Sequence, residues 1–138
     1  MRNVMTFDGD FSNEPGGSAS EEAPPGKDIA ELFKAALVQI GLTASAVEDH
    51  DSYGWAFTVK DDKNSIWIML QLSDNWLLIT QAHMPFLNRI FGGSSSDTIH
   101  RRVCEALHST ASGEKRIRNI RWYSLEEFQS KGPGAGSP

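Results

Sequence analysis

His100, Cys104 and His108 recur at i, i+4 and i+8, the spacing that lines one side of a helix, and form the nearest approach to a metal constellation in this 138-residue chain. From i to i+8 is about 12 Å along a helix axis, whereas zinc ligands stand about 2.0–2.3 Å from the ion. The three cannot share one ion, and no CxxC or HExxH accompanies either pair. No metal and no cofactor is expected. A nucleophilic pairing of Cys104 with His100 or His108 would need a thiolate and a base within reach. A lone helical cysteine ordinarily serves as a small buried hydrophobe, so no catalytic residue is expected and a small cysteine–histidine enzyme is the rival reading. The carboxylates Glu48, Asp49, Asp51, Asp61 and Asp62 fall in connectors and turns, where acids are ordinary. Gly92-Gly93 before a helix lacks the lysine and the spacing of a phosphate-binding loop.

Binding chemistry is better represented. Lys115, Arg116, Arg118 and Arg121 surround Trp122 and Tyr123, a basic strand with aromatics that can contact phosphates and stack bases. A sequence pI near 5.3 and an acidic chain start argue against nucleic acid. Trp67 and Met69 fall on the less apolar face of their strand, and an open face of that kind marks a partner surface. The expected partner-binding residues are therefore Trp67, Met69, Arg116, Arg118 and Arg121.

The net charge of -5 divides unevenly. Residues 1–26 carry five acids against one base, residues 27–74 eight acids against four bases, and residues 75–121 seven bases against three acids. Such a dipole suits a protein partner of complementary charge, steered by the field. A single cysteine suits a reducing compartment. No apolar run approaches the roughly 18 residues of a membrane span and no signal-peptide pattern opens the chain, so a cytoplasmic location without membrane contact is expected.

The elements that must position these groups follow from periodicity. Residues 53–82 hold three alternating apolar runs divided by Asp61-Asp62-Lys63-Asn64 and Ser73-Asp74-Asn75, the pattern of a three-stranded antiparallel meander. Trp55, Phe57 and Val59 share a side, as do Ile66, Ile68 and Leu70, and an apolar face of this kind needs helices laid on it. Asp28 with Glu31 reads as a capping box, Ile29, Leu32, Phe33, Ala36, Leu37 and Ile40 as the helical stripe, and Gly41 as its stop. Leu42–Ser52 reads as an acidic connector, and Gly92–Ser96 as a flexible one before a second helix capped by Asp97. Its stripe is Ile99, Val103, Ala106 and Leu107, ending near Gly113. Arg116–Tyr123 reads as a basic edge strand. Ser124 and Glu127 form a second capping box, opening a short helix with Leu125 and Phe128 inward.

The expected fold is α+β, an antiparallel four-stranded sheet with helices packed on one face, in the order α-β-β-β-α-β-α. The domain spans residues 27–131, preceded by a disordered acidic Gly/Ser/Pro-rich tail over 1–26, in which Phe7 and Phe11 are unattached aromatics, and followed by a disordered tail over 132–138.

Ile29-Ala30-Glu31-Leu32-Phe33 with Gly41-Leu42, then Gly54-Trp55-Ala56-Phe57 and the meander, resemble the type III secretion chaperone-like fold over residues 28–129. That resemblance implies a small, acidic, often dimeric bacterial protein of the cytoplasm. The expected function is a non-enzymatic protein-binding module, a secretion chaperone or adaptor, whose partner is an effector, a toxin or a second copy in a homodimer. A toxin-neutralising immunity protein is the alternative, and a nucleic-acid binder acting through 115–121 a further one.

Overall fold

The computed structural model describes residues 2–9, 26–50, 54–72, 75–83 and 94–138. In chain order the elements are β1 (Val4–Gly9), α1 (Lys27–Gln39), β2 (Thr43–Ala44), β3 (Glu48–His50) and β4 (Gly54–Lys60), followed by β5 (Ser65–Leu72), β6 (Trp76–His83), α2 (Ser94–Gly113), β7 (Ile117–Tyr123) and α3 (Leu125–Gln129). The meander forms as its alternation demands, with β4, β5 and β6 as successive antiparallel neighbours and Trp55, Leu70 and Leu78 in register across it. Asp61 closes the first turn by accepting the Lys63 and Asn64 amides at 2.8 and 2.7 Å.

The sheet has seven strands rather than the expected four, in the order β2-β4-β5-β6-β1-β7 with β3 also on β4. The first added strand corrects the expected disordered start. Val4–Gly9 lies inside the sheet, antiparallel to both β6 and β7. Averaged over 26 residues, the tail's composition conceals a six-residue alternation in which Met5 and Phe7 face the core, both completely buried. Phe7 stacks on Trp76 (6.2 Å, 9°) and meets Phe33 edge-on (6.1 Å, 65°). Phe11 and residues 10–25 lie outside the described residues. The acidic connector also orders in part, β2 and β3 both lying along the outer side of β4.

Helices α1 and α2 cover the face that carries Trp55, Phe57, Ile68, Leu78 and Trp122, and the core is the layer between. From α1 come Ile29, Phe33 and Leu37, from α2 Val103, Leu107 and Ala111. The Asp28 cap is corrected, since α1 starts at Lys27 with Gly26 as its N-cap, left-handed at φ 106 and without a side-chain cap. Tertiary packing sets that start: a Cβ on Gly26 would stand 2.6 Å from the Trp76 ring. Gly41, at φ 98, ends the helix as expected, its amide returning to Val38 O at 3.0 Å. Arg102 of α2 donates to Ile40 O at the same end (3.2 Å), tying the two helices together. α2 begins before Asp97, so Ser94–Ser96 of the expected flexible connector is helical, while 84–93 lie outside the described residues.

In β7 a bulge replaces regular alternation. Ile117 and Trp122, five residues apart, both lie on the core face because the register shifts between Thr6 and Asp8 and Asn119 takes φ 57. Asn119 Nδ2 donates to Asp8 across the bulge (2.8 Å). The C-terminal tail is corrected too. Trp122 and Ala135 exchange both main-chain bonds, at 2.7 and 2.8 Å, so part of the outer side of β7 is paired.

Candidate functional site

The histidine–cysteine series of α2 divides between two settings. His100 and Cys104 point into the core beneath β6, where Thr80 Oγ1 stands 2.6 Å from His100 Nε2 and 3.6 Å from Cys104 Sγ. The Thr80 hydroxyl donates to Asn3 O (3.1 Å), while Asn3 Nδ2 donates to Thr80 O (2.8 Å), clasping the head of β1 to β6. Asn3 is the residue here that sequence reasoning missed, because its partner is 77 positions away. One turn beyond Cys104, His108 accepts the indole N–H of the buried Trp122 at Nδ1 (3.0 Å), which selects its Nε2-protonated tautomer. Among the described residues no three His, Cys, Asp or Glu side chains converge to hold a metal.

Cys104 is 1% exposed, and burial pushes its thiol up to about 11, the Thr80 hydrogen bond pulling weakly the other way. At neutral pH it is a protonated, shielded thiol, a poor nucleophile. Alkylation of the folded chain at neutral pH is therefore expected to leave Cys104 intact, with labelling complete in denaturant. Rapid labelling of the native chain would contradict this. The raised value also fixes a pH dependence. The folded chain holds the thiol proton more tightly than the unfolded chain between the ordinary 9.0 and about 11, so the associated stability is complete below 9 and is lost as pH rises through that window.

A cleft of about 690 Å³ opens between the start of β1, α2 and α3, lined by Arg2, Arg101, Cys104, Glu105, Ser124, Glu127 and Pro138. Arg101, Cys104 and Glu105 share one side of α2 by i, i+3, i+4 spacing. Arg2 Nε forms an ion pair with Glu127 Oε1 at 3.4 Å without a hydrogen bond, and this nitrogen is shielded from solvent. Glu127 Oε1 also accepts the Ser124 amide at 3.0 Å, which, with a smaller contribution from Arg2, holds the Glu127 carboxyl below the usual carboxylate range.

The expected contact residues separate. Met69 is buried, which removes it from any open patch; it lies opposite Ile79 and Ala56 in the body of the sheet, where neighbouring strands shield both its sides. Trp67 is half-buried, its ring met edge-on by His50 (5.3 Å, 67°), above a notch of about 140 Å³ that also involves Glu48 and Thr58. Arg116, Arg118 and Arg121 are exposed, and Arg116 bonds Glu114 at 2.9 Å. Arg118 and Arg121 share the Trp67 face of the sheet, yet three strand spacings intervene, roughly 14 Å. Trp67 and the arginines do not form one contact patch.

At the end of β7 the structure places an apolar surface where the sequence predicts an inward face. The Ser124/Glu127 capping box forms completely, but Leu125 and Phe128 are 51% and 37% exposed, a correction to their expected burial. Five residues are too few to lay a full apolar stripe on the sheet, and the helix touches it mainly through Phe128 against Tyr123 (5.7 Å between ring centroids). Beside the pair is a notch of about 400 Å³ with Lys131 at its rim. Arg121, two residues before Tyr123, projects from the same face of β7.

No described helix is long and apolar enough to cross a membrane. Compared with known proteins, the chain matches no family model, no curated relative and no solved structure.

Proposed function

We propose that the chain is a non-enzymatic protein-binding module of the cytoplasm, a chaperone or adaptor of the kind used in bacterial secretion, that contacts its partner through α3 and the adjoining end of β7. The observation that carries this reading is the exposure of Leu125 and Phe128 on a helix whose start is fixed by its own capping box. Apolar side chains left outside the core by a fully capped helix form a ready-made contact surface. Burying one such side chain on a partner contributes about 1.5–3 kcal/mol. Lys131 at the notch and the exposed Arg121 on the same face of β7 select a partner whose apolar anchor is flanked by acids, through faster encounter and rejection of basic surfaces. Trp67, farther along the same face, is a secondary contact.

The test is affinity capture from a bacterial lysate with the folded chain, then calorimetric titration of the purified partner against wild type, Phe128→Asp and Trp67→Asp. The expected result is a stoichiometric partner with an acidic, apolar contact segment, lost in Phe128→Asp and retained with weaker affinity in Trp67→Asp. A partner that binds Phe128→Asp undiminished overturns the surface, and a purified partner hydrolysed or modified by the chain overturns the non-enzymatic reading. A dimer that Phe128→Asp dissociates would assign the patch to a second copy, and a toxin as the captured partner would make the chain an immunity protein.

A further inference from the structure

We propose that the cleft between β1, α2 and α3 binds a small oxyanion, a carboxylate or a phosphate, between the guanidinium groups of Arg2 and Arg101. Its volume of about 690 Å³ falls within the roughly 300–1,000 Å³ of small-molecule sites. Its cations are incompletely answered by the protein. The Arg2 side chain is 42% exposed, but its Nε is shielded from solvent and has no hydrogen-bond partner. Arg2 Nε is paired in charge with Glu127 Oε1 at 3.4 Å, an oxygen that also accepts the Ser124 amide. Arg101 makes no ion pair among the described residues, although Glu105 is one turn away on the same helix.

The remaining lining suits an anion held by directed bonds. Ser124 Oγ accepts the Glu127 amide (3.0 Å), which leaves its hydroxyl proton free to donate into the cleft. Cys104 at the floor is a neutral thiol and adds no negative charge. A carboxylate or phosphate presents two oxygens to one guanidinium plane, the geometry that arginine matches and that Glu127, which meets Arg2 through one oxygen at 3.4 Å, does not supply. The side chains of Glu105 and Glu127 offset the two arginine charges, and Pro138 also lines the cleft, so selection rests on hydrogen-bond geometry rather than on a general positive field. Polyanions gain nothing there, and a small ligand fits best. Leu125 and Phe128 lie outside this lining, so the cleft is distinct from the partner surface.

The experiment is an NMR titration of the full ¹⁵N-labelled chain with sodium succinate and, separately, with inorganic phosphate, ionic strength held constant with sodium chloride. Saturable shifts at Cys104, Ser124 and the Arg2 Nε–H, with a Kd in the millimolar range or tighter, are expected for at least one of the two, which identifies the preferred oxyanion. Arg101→Gln, at an exposed position, is expected to weaken binding about tenfold or more, the size of one lost charge-assisted contact. Leu125→Asp is expected to leave it unchanged. Shifts that grow linearly with either salt, or saturable binding that Arg101→Gln does not weaken, would overturn the proposal. Dispersed amide spectra of each variant establish that the fold is retained.

Discussion

Helices α1 and α3 carry similar sequence signals and meet opposite fates. Each has, near its start, an acid placed three residues after a residue type able to cap, and each shows apolar residues at helical spacing. α1 has no side-chain cap, yet Ile29, Ala30, Phe33 and Leu37 are all buried. α3 has its capping box complete and buries none of its residues. A capping box fixes the start of α3 but not of α1, whereas length and a facing apolar layer determine whether a helix joins the core. A 13-residue helix can lay a stripe across several strands; a five-residue helix can be held only at its ends. Leu125 and Phe128 stay outside the core, where the proposed partner contact would use them.

The contrast can be broken first at α1. Phe33→Ala should cost about 3–5 kcal/mol, because an aromatic ring in contact with Phe7 leaves a cavity that the sheet cannot close; urea unfolding measures it. A loss under about 1 kcal/mol would mean that α1 is not the element that seals the core.

An intermediate effect is expected at the α3 cap. Ser124→Ala should cost about 1 kcal/mol, appearing as faster amide exchange over residues 125–129 with the core amides unaffected. Acid should reproduce it. Glu127 titrates below its ordinary 4.5 in the folded chain, so its capping contribution is complete above that value and is lost as pH falls through the lowered folded value. An α3 that keeps its exchange protection below that range would show that the carboxylate is not needed for the cap.

The smallest stability effect belongs to the surface of α3, where Leu125→Asp should change unfolding free energy by no more than about 0.5 kcal/mol. The same substitution should sharply weaken capture of the partner. A marked destabilisation would instead place Leu125 in the fold and dissolve the distinction between the two helices.

Much of the architecture was legible because it depends on local periodicity. The meander, the stop at Gly41, the end of α2 at Gly113 and the Ser124/Glu127 cap each rest on residues within a few positions of one another. Of the expected contact residues, Arg116, Arg118 and Arg121 are on the surface, Trp67 is half-covered and Met69 is enclosed. A strand's alternation states which residues share a side, but not how deeply neighbouring strands will shield that side. The cleft was invisible, since Arg2, Arg101 and Glu127 meet only when the start of the chain lies beside its end.

The sequence by itself determined the α+β class, the antiparallel pairing of the meander and the apolar face that had to be covered, all consequences of side-chain period and turn chemistry. Only the tertiary structure decided that Val4–Gly9 is an interior strand, that Ala135 pairs with Trp122, and that Ile117 and Trp122 reach one face through a bulge. These are long-range pairings, whose stability comes from partners more than ten residues distant. Six residues of moderate strand propensity pair only when two edges already stand ready on either side.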